Sequence, residues 1–307
     1  MIPRDPSRRA PLGFLYIPPF RVQGLSTAGE ESVVQVPELD VCFDIGLCPR
    51  TVLSSHFVAL SHGHMDHSAG LVYYFSQRHF QGMGTGTAVC HPDLEQPIHN
   101  VMRAWVELEA QRTPYKIVPL VPDAELEIKP NHFLRAFATN HTVASLGYVV
   151  IERRSKLKPE LIGLPQEKLI ELKNSGQQIT QVHEIPLVCY TGDTMWGDHF
   201  ERPDVLGAKI LITECTFLDP DDRPRATVGK HLHLSNIVDL LRRSRAETVV
   251  LTHLSRRTNI HNARRLIDQA VPASDRDRVF LLMDARANRQ RYEQQLAEAE
   301  AAANAVR

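Results

Sequence analysis

The chain has 307 residues, 43% of them hydrophobic and 23% charged, with 35 Lys and Arg against 36 Asp and Glu for a net charge of −1. That is enough apolar material for one large core or two small ones, and the neutral balance gives no global pull toward nucleic acid, so any RNA contact must come from a local basic patch. No run is long and apolar enough to cross a bilayer, Met1-Ile2-Pro3-Arg4-Asp5-Pro6 has no apolar stretch behind its charges and reads as no signal peptide, and five scattered cysteines (Cys42, Cys48, Cys90, Cys189, Cys215) without a CxxC pair read as reduced core thiols of a cytoplasmic protein.

Val33 to Phe43, interrupted at Pro37, predicts a hairpin, and Asp44-Ile45-Gly46 turns out of it. Phe57-Val58-Ala59-Leu60 has the length of a buried strand, ended by Ser61 and Gly63. It runs into His62-Gly63-His64-Met65-Asp66-His67. Clustered imidazoles and a carboxylate at a strand end are costly unless ligated or hydrogen-bonded, so the segment reads as half of a two-metal hydrolytic site. Kept extended, it points His62, His64 and Asp66 one way and leaves His67 on the opposite side, free to reach a second ion. Imidazole and carboxylate without thiolate suit zinc, manganese or iron at a hydrolytic centre better than a closed structural zinc.

Helices are predicted next over Ser68 to Phe80 and from Pro97, at a first helical position, to Ala110. Strands follow at Lys116 to Leu120, Ala124 to Ile128, Phe133 to Ala138 and Tyr148 to Glu152. A basic strip, Arg153-Arg154-Ser155-Lys156-Leu157-Lys158-Pro159, then leads to a helix started by Pro165. The second half offers strands at Pro186 to Tyr190, Ile210 to Thr213, Thr248 to Thr252 and Val279 to Leu282, with helices at Ser235 to Arg243 and Ile260 to Ala270. Arg286 to Arg307 is charged and Ala-rich, an exposed terminal helix. Strand pairs early and strand-helix alternation late predict a layered α/β body whose sheets are covered by helices.

Three distant residues join the cluster. His141 follows one predicted strand, Asp193 lies in Thr191-Gly192-Asp193-Thr194 after another, and His253 ends a third. Strand ends on one rim of a sheet are where α/β proteins place their sites, and Gly192 would let backbone approach an ion closely. His56, His79, His91, His99, His132, His183, His199 and His261 lack such company and read as surface or satisfied core residues. No nucleotide-binding loop is present; Gly82-Met83-Gly84-Thr85-Gly86 reads as a flexible loop.

Together, Ser61 to His67, His141, Asp193 and His253 resemble the HxHxDH-type site of the metallo-β-lactamase superfamily. Within it the chain is most similar to ribonuclease Z, the endonucleases that trim tRNA 3′ trailers, in the short, plant-like branch. The likeness extends to Cys42-Phe43-Asp44-Ile45-Gly46, Ser145-Leu146-Gly147-Tyr148, Glu214-Cys215-Thr216-Phe217-Leu218-Asp219, His231-Leu232-His233-Leu234-Ser235 and His253-Leu254-Ser255-Arg256-Arg257, covering roughly residues 20 to 283.

The resemblance implies a four-layer αββα sandwich over residues 1–283, with 153–181 as an arm-like insertion and 284–307 as a helical tail. It implies two Zn2+, with Mn2+ or Fe2+ as alternatives: one held by His62, His64 and His141, the other by Asp66, His67 and His253, and Asp193 bridging. Asp66 would orient or deprotonate the attacking water, and Glu214 with His231 would pass a proton to the departing ribose 3′-oxygen. His233, two residues on, is the competing proton donor. Arg153, Arg154, Lys156 and Lys158 would contact precursor tRNA, and the protein would be a cytoplasmic homodimer without membrane attachment. In this sequence Thr258 stands where the family often has Tyr, and Lys230 where Gly is common. A metal-dependent phosphodiesterase acting on precursor tRNA is therefore expected. The alternatives are a hydrolase of a small ester, thioester or cyclic phosphate, against which the Glu214/His231 pair and the arm weigh, and a non-catalytic metal-binding protein, against which the full ligand set weighs.

Overall fold

The computed structural model describes residues 12–305, so the signal-peptide reading of Met1 to Pro6 lies outside the described residues. Two mixed sheets face each other. The first takes β1 (Gly13–Ile17), β2 (Phe20–Ala28), β3 (Glu31–Val36), β4 (Val41–Phe43), β5 (Phe57–Ala59), β6 (Thr87–Cys90) and β7 (Lys116–Pro119) in chain order, antiparallel as far as β4 and parallel beyond. The second begins with β8 (Glu125–Lys129), β9 (His132–Ala138), β10 (Leu146–Leu157) and β11 (Thr180–Tyr190), all antiparallel. It continues parallel through β12 (Ile210–Glu214) and β13 (Thr248–Thr252). The two-residue β14 (Leu254–Ser255) crosses to pair with β2, and β15 (Val279–Leu281) closes the second sheet on β13.

The continuous apolar runs are explained by layers on both sides. Leu211 and Val249 face helices while their neighbours Ile210, Ile212 and Val250 face the other sheet, the alternation that parallel strands impose. The intersheet core joins Leu15, Val22, Val34, Phe43 and Val89 to Leu134, Tyr148, Val150, Val188 and Ile212. Outside the first sheet, α1 (Met65–Ser68) leads into α2 (Leu71–Phe80), and α2 and α3 (Pro92–Glu109) bring Leu71, Tyr74, Phe75 and Met102 onto Val58 and Ala88. The arm carries α4 (Gln166–Asn174). Outside the second sheet, α5 (Pro203–Leu206) is followed by α6 (Arg223–Gly229), α7 (Leu234–Leu241) and α8 (Ile260–Ala270), with Val205, Ile237, Leu240 and Ile267 packed on Val149 and Leu251. The architecture is thus the four-layer αββα sandwich. At roughly 1.5–3 kcal/mol per buried aliphatic side chain, these three cores outweigh any single polar link between layers.

Helix α3 and the β10–β11 pair depart from expectation. Helix α3 starts at Pro92, not Pro97: His91 caps it by accepting the Asp93 N–H at 3.2 Å, Pro92 takes a first-turn position, and Pro97 sits inside. Strands β10 and β11 do not stop at Glu152 and Pro186 but run on as a two-stranded ribbon, pairing as far as Leu157 and Thr180. A ribbon wet on both faces carries no apolar alternation to announce it. The final helix, α9 (Ala285–Ala305), docks rather than frays at its start: Tyr292 meets Phe14 edge-on at 5.2 Å, and buried Asn288 donates to the Leu281 and Leu282 carbonyls.

Candidate metal centre

Strands of both sheets end on one rim. Asp44 follows β4 directly, while His62, His141 and Asp193 each lie three residues beyond β5, β9 and β11; Glu214 ends β12 and His253 follows β13. Asp44 and His253 have left-handed backbones, φ 55° and 56°, a conformation costly for non-glycine residues and concentrated at functional sites.

The segment after His62 is not extended throughout. His64 (φ −63°, ψ 149°) is the N-cap of α1, and the chain coils at Met65, so Asp66 and His67 both turn toward His253. The expected opposition of Asp66 and His67 is therefore corrected: helical spacing replaces the two-residue alternation. Two neighbouring donor groups result, His62 with His64 and His141, and Asp66 with His67 and His253. In the first, His64 Nδ1 is 2.9 Å from His62 Nε2 and 3.4 Å from His141 Nε2. In the second, His67 Nε2 and His253 Nε2 are 3.2 Å apart, and Asp66 Oδ2 lies 3.6 and 3.5 Å from them. Asp193 Oδ2 stands between the groups, 3.3 Å from His67 Nε2 and His253 Nε2 and 4.0 Å from His62 Nε2.

The far sides of four of these rings are already engaged. His67 Nδ1 donates to Asp44 Oδ2 at 2.8 Å; His62 Nδ1 donates to Ser61 Oγ at 2.9 Å, and that hydroxyl donates onward to Asp44. His141 Nδ1 donates to the Lys230 carbonyl at 3.2 Å, and His253 Nδ1 to Thr216 Oγ1 at 3.0 Å, whose own proton goes to Glu214. With Nδ1 taken up in these four rings, Nε2 is the nitrogen left to face the shared space, while His64 turns its Nδ1 into it. Converging lone pairs beside the buried Asp193 repel unless positive charge sits among them, so the donor set fits divalent cations.

The acid–base balance says the same. Burial, with His67 nearby, pushes His62 down to about 2. Burial would likewise lower His67, but Asp193 and Asp44 overcome it and hold it well above its usual range. Burial would raise Asp193, yet His253 and His67 keep it well below the carboxylate range.

Beside this set, Glu214 Oε1 accepts from His231 Nδ1 at 3.0 Å and from the Thr194 N–H at 2.8 Å. Burial would lower His231; the Glu214 carboxylate reverses that and raises it to about 9. His233 is elsewhere engaged: it caps α7 through Nδ1, and its Nε2 donates to the Asp219 carbonyl at 3.0 Å. The basic strip lies on the ribbon, not at the centre. Arg153 is bound by Glu125 and Glu184 and stacks over Phe133, and Arg154 pairs with Glu152; among the described residues Lys156 and Lys158 have no ion-pair partner. Gly192 (φ 60°) allows close approach to Ser61, whose Cβ would be 2.4 Å from a Cβ built there.

Sequence reasoning passed over Asp44 as a site residue. Its fully buried carboxylate also accepts the Ser61 N–H at 2.6 Å and the Tyr190 hydroxyl at 2.6 Å. The available signal was an acid directly ending a strand, read only as a turn.

The fold and this donor set are those of the metallo-β-lactamase superfamily, and the sequence matches the beta-lactamase superfamily domain over residues 47–254. The chain is 32% identical over 266 residues to tRNase Z TRZ1 of Arabidopsis thaliana, covering 86% of this chain and 95% of that one. It is 31% identical over 252 residues to the chloroplastic tRNase Z TRZ2 of the same plant, covering 81% and 71%. The crystal structure of human tRNase Z, short form, superposes with a TM-score of 0.56 over 88% of this chain and 95% of that one, at 18% identity, a likeness of fold. The chain belongs to the tRNase Z (ribonuclease Z) family. The expectation of a cytoplasmic location is corrected here, since a relative this similar is chloroplastic. Free thiols and neutral charge describe a reducing environment and a balanced surface, not an address. No helix among the described residues is long and apolar enough to cross a membrane.

Proposed function

We propose that this protein is an endoribonuclease that removes the 3′ trailer of precursor tRNA by metal-dependent phosphodiester hydrolysis. The observation that carries the reading is the Glu214–His231 pair standing beside the His/Asp centre in a chain similar to tRNase Z over nearly its whole length. A hydrolase of small esters has no evident need for a second, independently oriented imidazole.

In this reading His62, His64 and His141 would hold one zinc ion and Asp66, His67 and His253 the other, with Asp193 shared by the two groups; metal bound there would lower the pKa of water and offset the charge of the scissile phosphate. Asp66 Oδ2, steadied by the Gly29 N–H at 2.8 Å, accepts the proton of the attacking water. Oxygen bonds to phosphorus, the bond to ribose O3′ breaks, and O3′ takes its proton from His231 Nε2. Glu214 holds the other ring nitrogen, so His231 is presented as a donor throughout.

Residues 153–181 form the docking arm of an otherwise single hydrolase domain, 1–283, followed by the helical tail. Lys156 and Lys158 offer free ammonium groups for RNA phosphates, while Arg153 and Arg154 stiffen the ribbon's root. A homodimer is part of the same reading, supported by Val101, Trp105 and Leu108, which form an exposed apolar stripe along α3. The decisive experiment incubates purified protein with end-labelled precursor tRNA and, in parallel, a small phosphodiester. A discrete cut at the trailer junction supports the reading, whereas cleavage of the small ester alone rejects it.

A further inference from the structure

We infer that Lys230 is a positioning residue that holds His141 at the metal centre from both ends, its carbonyl gripping the ring and its ammonium gripping the main chain. The ring contact is His141 Nδ1–H to Lys230 O at 3.2 Å, and the main-chain contact is Lys230 Nζ to His141 O at 2.9 Å. Among the described residues, no other donor reaches the His141 carbonyl.

The backbone gives a reason to look for such a role. Lys230 is the C-cap of α6 with φ 53° and ψ 52°, its N–H closing onto the Ala226 and Thr227 carbonyls. A left-handed cap is the position where glycine sits without strain and a lysine does not. The strained cap aims the carbonyl at His141, and the side chain returns to the same residue.

His141 depends on that help. It lies in an irregular turn between β9 and β10, pinned on one side where the Asn140 N–H donates to Thr194 Oγ1 at 3.0 Å and the Met195 N–H donates to the Asn140 carbonyl at 2.9 Å. Lys230 supplies the hold on the other side. Because His231 is the next residue, with its ring centroid 5.1 Å from that of His141, one peptide joins the ligand to the Glu214-bound imidazole.

The inference rests on His141 being a ligand. The test compares zinc affinity, by chelator competition, for Lys230→Met, Lys230→Gly and His141→Ala, alongside melting of each metal-free protein. Both Lys230 variants keep the main-chain carbonyl on the ring and lose only the ammonium, and should bind zinc about tenfold more weakly, the low end of the about 10–100-fold range for lost orienting partners. Metal-free Lys230→Met should melt like the wild type, and Lys230→Gly at the same temperature or higher. Wild-type affinity in either Lys230 variant, or a loss matched by lower metal-free stability, overturns the inference. Wild-type affinity in His141→Ala instead rejects the ligand assignment itself.

Discussion

His67 is held between Asp44, 2.8 Å from its Nδ1, and Asp193, 3.3 Å from its Nε2, so a single fully buried ring links the orienting carboxylate to the one at the middle of the donor set. Asp44→Asn should be severe, because the carboxylate accepts from Ser61 N, Ser61 Oγ, Tyr190 and His67, and an amide presents protons where acceptors are required. Zinc affinity should fall about 10–100-fold. Tyr190→Phe, which removes one of those donors, should cost only about 1–2 kcal/mol of stability. Chelator competition and denaturant melts measure both, and an Asp44→Asn protein with wild-type affinity would refute the orienting role.

Asp193 stands between two donor groups, so its loss should be felt by both. Elemental analysis should find two transition-metal ions per wild-type chain and fewer than one in Asp193→Ala, while His253→Ala should keep about one, since it takes no part in the group of His62, His64 and His141. Active wild-type protein with only trace metal would contradict the reading.

His231→Ala should keep its metal yet lose turnover by ~10²–10⁴-fold, the usual worth of general acid catalysis, and Glu214→Ala should lose as much turnover and also bind metal more weakly, since Glu214 steadies Thr216 behind His253. His233→Ala should instead cost about 1 kcal/mol of stability through loss of the α7 cap, with turnover nearly unchanged. If single-turnover cleavage collapses in His233→Ala and survives in His231→Ala, the proton donor is misassigned.

Removing the arm should harm cleavage of precursor tRNA far more than that of a small chromogenic phosphodiester, which cannot reach it. Neutralising Lys156 and Lys158 together should lessen the slope of log affinity against log salt by about 1.4–1.8, as phosphate contacts that release counterions are lost. Arg153→Ala acts differently, loosening Glu125 and Glu184 at a cost of about 1 kcal/mol or less for so partly exposed a pair. Filter binding across a salt series separates the two, and an unchanged slope in the lysine variant would leave the strip as ordinary solvated surface.

What could be read from residues alone followed burial. Helix α8 shows its full span, Ile260 to Ala270, because an apolar stripe and the Asn259 cap mark it. The helix from Met65 was hidden, since four residues are too short for periodicity and three of the last six before Ser68 are histidines whose spacing suits a strand as well. The β10–β11 ribbon was invisible beyond Glu152 for want of an apolar face. Lys230 gave only an oddity, a lysine in place of a common glycine, and its hold on His141 emerges from contacts spanning 89 positions.

The donor set straddles both sheets, and His67 meets His253 across 186 positions of chain. A growing polypeptide therefore displays its histidine cluster long before the partner exists, and loop closure of that length rewards nothing until both sheets have formed. An ion held by this set would therefore tie the two sheets together like a rivet, and its affinity would add directly to the work of prying the two halves apart.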